Sequence, residues 1–190
     1  MNNQQLQKAL SQTLTKADVQ QLASLAYKGN ISISELLELC FETANTSVAF
    51  RAAWVLENVE TEHPEVFLPH LPAFIRSLPQ QQNASCRRHF TNILLRYTNP
   101  KASTPRREAW ATIADREQVV ETVFEWLILP ETPIAVRVNC LEILLFLSTE
   151  FEWIKEELRE QTEFYLKDGS PAMQSRGRKI LKRLKYNYSN

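Results

Sequence analysis

The chain opens a helix in the same way four times. Ser47, Asn83, Pro133 and Ser170 each stand four positions ahead of a long polar side chain, namely Arg51, Arg87, Arg137 and Gln174. Three positions further on come Trp54, Phe90, Cys140 and Gly177; eight positions further on come Val59, Leu95, Leu145 and Lys182. The spacings are 36, 50 and 37 residues, and the match fades in the last unit. Self-similarity at this period is the signature of stacked supersecondary units, each too small to bury its own apolar face. Each unit is preceded by another amphipathic helix, giving four first helices at about 33–43, 64–78, 115–129 and 150–166. A chain patterned this way folds by laying helix pairs side by side.

The periodicity elsewhere agrees. Within 33–41 the residues Ile33, Leu36, Leu37, Leu39, Cys40 and Phe41 form one broad apolar face, opposite Glu35, Glu38 and Glu42. Ser34 reads as a plain N-cap there, and Asn45, Thr46 and Ser47 supply cap candidates for a helix over about 47–61. Pro69 and Pro72 lie inside 64–78, which predicts a kink or a late start. Gly169 is placed to end the helix before it. Two helices near 5–13 and 16–28 precede the pairs, and 98–114, with Pro100 and Pro105, is the least regular stretch. No strand pair stands out.

The cap or proline, the small or apolar residue, the arginine and then the apolar helix resemble the HEAT and armadillo family over roughly residues 30–186. One departure is the missing aspartate between paired helices. The resemblance implies an all-α, right-handed α-α superhelix of about four helix pairs. It would be one solenoid domain over 1–190, with cap helices at 1–30, pairs at 31–186 and an insertion at 98–114. It also implies a protein-interaction scaffold without catalytic activity. The chain is similar, too, to short bacterial proteins labelled adenylosuccinate lyase. The serine-rich signature loop of that enzyme is absent and the chain is under half the required length, so the lyase label carries no activity with it.

Composition narrows the function classes. Only Gly29, Gly169 and Gly177 occur, so no glycine-rich phosphate loop can be written. The N-terminus has no basic and apolar leader, and the longest strong apolar run, Ile143 to Leu147, is far below the ~20 residues of a membrane span. Cys40, Cys86 and Cys140 are isolated among apolar residues and read as reduced core thiols, which points to the cytoplasm.

The total charge is zero, with 22 basic and 22 acidic residues, but its distribution is uneven. The first helices, counted over 33–43, 64–78, 115–129 and 150–168, hold 5 basic and 15 acidic residues. The second helices, counted over 47–61, 82–97, 132–148 and 170–186, hold 11 basic and 3 acidic. Second helices line the concave side of such solenoids, so the expectation is an acidic outer face and a basic inner groove. Candidate binding residues are Arg51, Trp54 and Asn58 on one stripe, Arg88, Asn92 and Arg96 on another, Arg137, and Arg176, Lys179 and Arg183 on the last helix. The partner expected there is a peptide or acidic segment of another protein. The competing reading stays open: column arginines that pair with acids or carbonyls of a neighbouring unit, and a last helix whose charges only solvate an end cap.

Other chemistry finds little purchase. His63, His70 and His89 form no metal-ligand spacing, with His63 reading as a helix-end cation, and neither metal nor cofactor is expected. Glu57 and Glu142 are the acids on second helices that could serve a carboxylate pair, and solvent exposure is the commoner fate of such residues. A HEAT-like glycosylase acting on alkylated DNA bases would use aromatic residues, for which Trp54 is available, and a concave aspartate, which is missing; nucleic acid is therefore the second partner class. Trp54 otherwise reads as packing between units, like its column partners. The insertion carries Arg106, Arg107 and Trp110, which suit either an anionic ligand or a fold-back of Trp110 and Ile113 over a helix junction. Tyr186 and Tyr188 follow in a tail given no role.

Overall fold

A computed structural model describes residues 1–186, and Tyr188 and the Tyr186 side chain lie outside the described part. It consists of α-helices joined by short loops and 3-10 turns, with no strand among the described residues. The chain forms two compact units, one over Met1–Ile93 and one from Leu94 onward, the division falling inside a single helix.

The first unit begins with α1 (Asn3–Ser11) and α2 (Lys16–Tyr27). Both start with a reciprocal capping box, Asn2 with Gln5 and Thr15 with Asp18, which satisfies two orphan N–H groups at each end. A Schellman closure ends α2: Gly29 N–H bonds Ala26 O and Asn30 N–H bonds Leu25 O, with Gly29 at φ 75° where a Cβ would be strained. The next helix, α3 (Ile33–Leu39), is capped by the Ser32 hydroxyl accepting from Glu35 N–H, two residues before the expected Ser34. Ser34 already sits in the first turn, so the helix begins at the first apolar residue of its pattern. Asn45 supplies the cap of α4 (Thr46–Glu62), one of the three candidates the sequence offers.

Pro69 and Pro72 break the expected 64–78 helix rather than bending it. The stretch becomes α5 (Pro64–Phe67), a 3-10 turn at Leu68–His70, α6 (Leu71–Ser77) and a second 3-10 turn at Leu78–Gln80. Each proline lacks an N–H and restrains the residue before it, so neither can sit in a helix interior. The unit closes on the first part of α7 (Ala84–Thr98).

The core of this unit surrounds α4, against which α1, α2, α3 and α5 all pack. Ala52, Ala53, Val55, Leu56 and Val59 are fully buried. The small alanines let neighbouring helices approach, while each buried Val or Leu contributes about 1.5–3 kcal/mol. An aromatic cluster joins α6 to α7: Phe74 lies 4.8 Å from Phe90 and edge-on to Phe67, and Phe41 meets Phe90 edge-on at 5.9 Å.

The second unit holds the end of α7, then α8 (Thr104–Ala111), α9 (Arg116–Ile128), α10 (Ile134–Leu147), α11 (Ile154–Lys167) and α12 (Pro171–Tyr186). The stretch read as irregular thus contains a helix, opened by Pro105 in its first turn. Here α10 is central, packed on α9, α11 and α12. Leu141 and every residue from Ile143 to Leu147 are buried, so its apolar character runs around the helix, as a surrounded helix requires. Gly177 of α12 lets that helix close on α11: an added Cβ would meet Leu166 Cδ2 at 2.9 Å and Thr162 Cγ2 at 3.2 Å. No helix among the described residues is long and apolar enough to cross a membrane.

Candidate functional site

The repeated long side chain has a clear local task. Arg51 donates from Nη1 to Leu10 O at 2.9 Å, and Arg87 donates from Nε to Gln81 O at 2.8 Å. Arg137 donates from Nη2 to Leu129 O and Pro130 O, each at 2.8 Å, and Gln174 donates from Nε2 to Leu166 O at 2.6 Å. In each case a side chain from the first turn of a second helix, or from the second turn for Arg51, reaches carbonyls at or just past the end of an earlier element. Helix C-termini leave four carbonyls without intrahelical donors, and positive charge is favoured there. Glutamine can replace arginine in the fourth unit because the shared requirement is a long N–H donor. Arg51 and Arg137 thus each donate to the chain's own carbonyls, the pairing that the sequence left open beside a binding role.

Arg137 is held on a second side as well. Its guanidinium carbon lies 5.1 Å from the centre of the Tyr165 ring, whose hydroxyl donates to Leu127 O at 2.7 Å. Burial pushes the Tyr165 phenol up, with the Arg137 charge pulling the other way.

A second pattern links consecutive second helices within each unit. Glu57 of α4 meets His89 of α7, Oε2 to Nδ1 at 2.6 Å, with side chains only 15% and 9% exposed. Glu142 of α10 meets Arg176 of α12 through Oε2 and Nη1. The basic member stands two residues past the column in both cases, and the acid stands five or six past it. Solvent exposure was the expectation for both glutamates, and both are instead paired across a helix interface. Sequence reasoning treated these acids singly; the signal was their separation of 32 and 34 residues from a base, about one repeat away.

What remains on the second-helix faces differs between the units. In the first, Trp54 is half-exposed and stacks on Phe50 at 6.1 Å, while Phe50 meets the His89 ring at 5.3 Å. Trp54 thus departs from its buried column partners Phe90 and Cys140, because Val55, one residue on, takes the core position in α4. Asn58 is half-exposed on the same stripe and Arg88 is exposed on α7, with Asn92 and Arg96 half-buried along that helix.

In the second unit, Lys179 and Arg183 are exposed on α12, four residues apart, and flank a cleft against α10. Its volume is about 270 Å³, Leu145 and Ile180 lie at its base, and Arg176, Lys182 and Glu142 complete the wall. Arg183 is steadied by lying 5.8 Å over the Phe146 ring. The first helices of this unit carry the opposite charge on their exposed sides, including Glu121 and Glu125 on α9 and Glu156, Glu160 and Glu163 on α11.

In the insertion, Arg107 is exposed and donates to Thr104 Oγ1 at 3.3 Å, and Arg106 and Trp110 are half-buried. Ile113 is 5% exposed, so the end of the stretch folds onto the unit. Arg116, which the sequence did not single out, anchors it. Its Nη1 donates to Ile113 O at 2.9 Å and to Ala111 O, and its Nε donates to Glu150 at 2.6 Å.

Three further residue classes are accounted for locally. The His63 ring stacks on Tyr27 at 4.1 Å, and His70 Nδ1 lies 3.4 Å from Ser34 Oγ. All three cysteines are buried, and burial pushes the Cys40 thiol well above its ordinary value and Cys86 up to about 12. Among the described residues no group of three or more His, Cys, Asp or Glu side chains is placed to hold a metal ion.

A family model described as a HEAT repeat domain matches residues 6–184 of the chain. Comparison with curated proteins and with solved structures gave no match.

Proposed function

Because the chain belongs to the HEAT repeat domain family, we propose that it is a non-enzymatic scaffold whose second-helix faces hold an acidic segment of another protein. The observation that carries this reading is the cations left over once the structural ones are subtracted. Arg88 on α7 and Lys179 and Arg183 on α12 stay exposed, while Arg51, Arg87 and Arg137 serve carbonyls and Arg176 serves Glu142. Holding exposed like charges near one another on α12 raises local repulsion, and an anionic partner relieves it. The half-exposed Phe50–Trp54 stack adds rigid aromatic area of the kind enriched at protein interfaces. A cytoplasmic location forms part of the same proposal.

Reversing Arg88, Lys179 and Arg183 to glutamate tests it. Quantitative affinity capture with the full chain should lose specific partners in that variant while its circular dichroism stays unchanged. Fluorescence anisotropy with duplex and single-stranded DNA should show weak binding at low salt. Tight binding that falls steeply as salt rises would instead identify nucleic acid as the ligand.

A further inference from the structure

We propose that the α10–α12 cleft is the anchoring site, and that it takes an acidic amphipathic segment which inserts one aliphatic side chain and sets its carboxylates on Lys179 and Arg183. This rests on the scaffold reading above and assigns it a place and a chemistry. The shape comes first. At about 270 Å³ the cleft falls just below the roughly 300–1,000 Å³ of small-molecule and cofactor sites, and it suits an inserted side chain. Its apolar lining is aliphatic, supplied by the buried Leu145 and Ile180.

The charge at the rim selects the partner. Glu142 is the acid in the wall, and the Arg176 guanidinium already pairs with it, so Lys179 and Arg183 set the character of the mouth. Lys179 and Arg183, one helical turn apart on α12, match two carboxylates at the same spacing on a docked helix. Arg183 lies over Phe146, which limits the rotamers it must give up on binding. The Arg176–Glu142 pair braces α12 against α10 and keeps the cleft at its width. Nucleic acid fits less well: Phe146 is covered by Arg183 and 9% exposed, so no aromatic platform is open for a base.

The test is selection of displayed random peptides on the purified full chain, followed by anisotropy with the enriched peptides made synthetically. Enriched peptides should combine Asp or Glu with Leu, Ile or Val at helical spacing. Lys179→Glu/Arg183→Glu should weaken them about tenfold or more, as should alanine in place of the peptide's aliphatic residue, whereas reversal of the exposed Lys16 on α2, Lys16→Glu, should leave affinity unchanged. Both substituted cations are exposed, and circular dichroism of the variant verifies its fold. Acidic peptides that survive Lys179→Glu/Arg183→Glu but are lost in Arg88→Glu/Arg96→Glu would overturn the cleft assignment and leave the scaffold reading standing. Enrichment of basic or uncharged peptides, or none, would overturn both. Self-association by sedimentation that disappears in Lys179→Glu/Arg183→Glu would also overturn it, by giving the cleft to the acidic α11 of a second copy.

Discussion

Arg137→Met separates a structural arginine from a binding one. Methionine keeps most of the aliphatic stem, so packing is retained and the guanidinium alone is removed. Two charge-assisted hydrogen bonds disappear, to Leu129 O and Pro130 O, both at 2.8 Å. Hydrogen bonds to charged groups contribute about 1.5–3 kcal/mol when buried, but Arg137 is half-exposed and water can replace part of each. The contact with Tyr165 adds about 0.5–1 kcal/mol at such a site. Allowing for non-additivity within one side chain, the expected loss is about 2–4 kcal/mol. Urea denaturation followed by circular dichroism measures it, with Arg88→Met as the comparison, expected within about 0.5 kcal/mol of wild type because Arg88 is exposed. If Arg137→Met costs no more than Arg88→Met, the capping account of the repeat column is wrong.

Four other outcomes follow from single observations. Gly169→Ala should destabilise the chain by about 1–3 kcal/mol, since its Cβ would lie 2.2 Å from the Tyr165 carbonyl oxygen, which cannot move without shifting α11. Gly177→Ala crowds side-chain atoms alone, Leu166 Cδ2 at 2.9 Å, Leu166 Cγ at 3.1 Å and Thr162 Cγ2 at 3.2 Å, and the helix propensity gained, about 1 kcal/mol, offsets their displacement, so thermal melting should place it near wild type. Cys40, Cys86 and Cys140 should resist alkylation at mildly alkaline pH in the folded chain and react only in denaturant, read by intact mass. The Thr15 hydroxyl, with the Thr15 N–H, holds the Asp18 carboxyl below its ordinary value of 3.8, so its capping contribution is present above that pH and lost as pH falls through the lower folded value. An NMR titration of Asp18, compared with Thr15→Ala, reads that shift directly.

The fold was legible because its determinant is periodic and local. A cap, a long donor four residues on and an apolar helix can be counted along the chain, and the family match over 6–184 agrees with that count. Helix limits failed where a choice lay within one turn, as at Ser32 against Ser34, or where proline chemistry acts in degree, as at Pro69 and Pro72. The helix at 104–111 went unseen because Pro100 and Pro105 suggest a loop, although Pro105 is tolerated in a first turn. The binding residues were harder. A sequence records that a residue is arginine, but not whether an uncapped carbonyl lies within reach, and that decides whether Arg51 and Arg137 face a partner or the chain itself. Glu57–His89 and Glu142–Arg176 were invisible for the same reason, since each depends on the register of two helices a repeat apart.

Position within the second helix sorts the cations by duty. The column residue lies in the first turn of α7, α10 and α12 and in the second turn of α4, next to the end of an earlier element, where a donor has carbonyls to satisfy. Two residues on, the side chain points at the preceding second helix and finds its glutamate, as His89 and Arg176 do. Only beyond that, at Lys179 and Arg183 in the fourth unit, does α12 present charge with no such neighbour to meet it. Stability therefore constrains the first turn and leaves later turns free to vary with the partner. Moving a cation pair from 179 and 183 into the first turn of α12 should cost affinity without adding stability, because Gln174 already serves the Leu166 carbonyl there. The same transfer in a unit lacking its column donor, such as Arg137→Met, should recover stability instead.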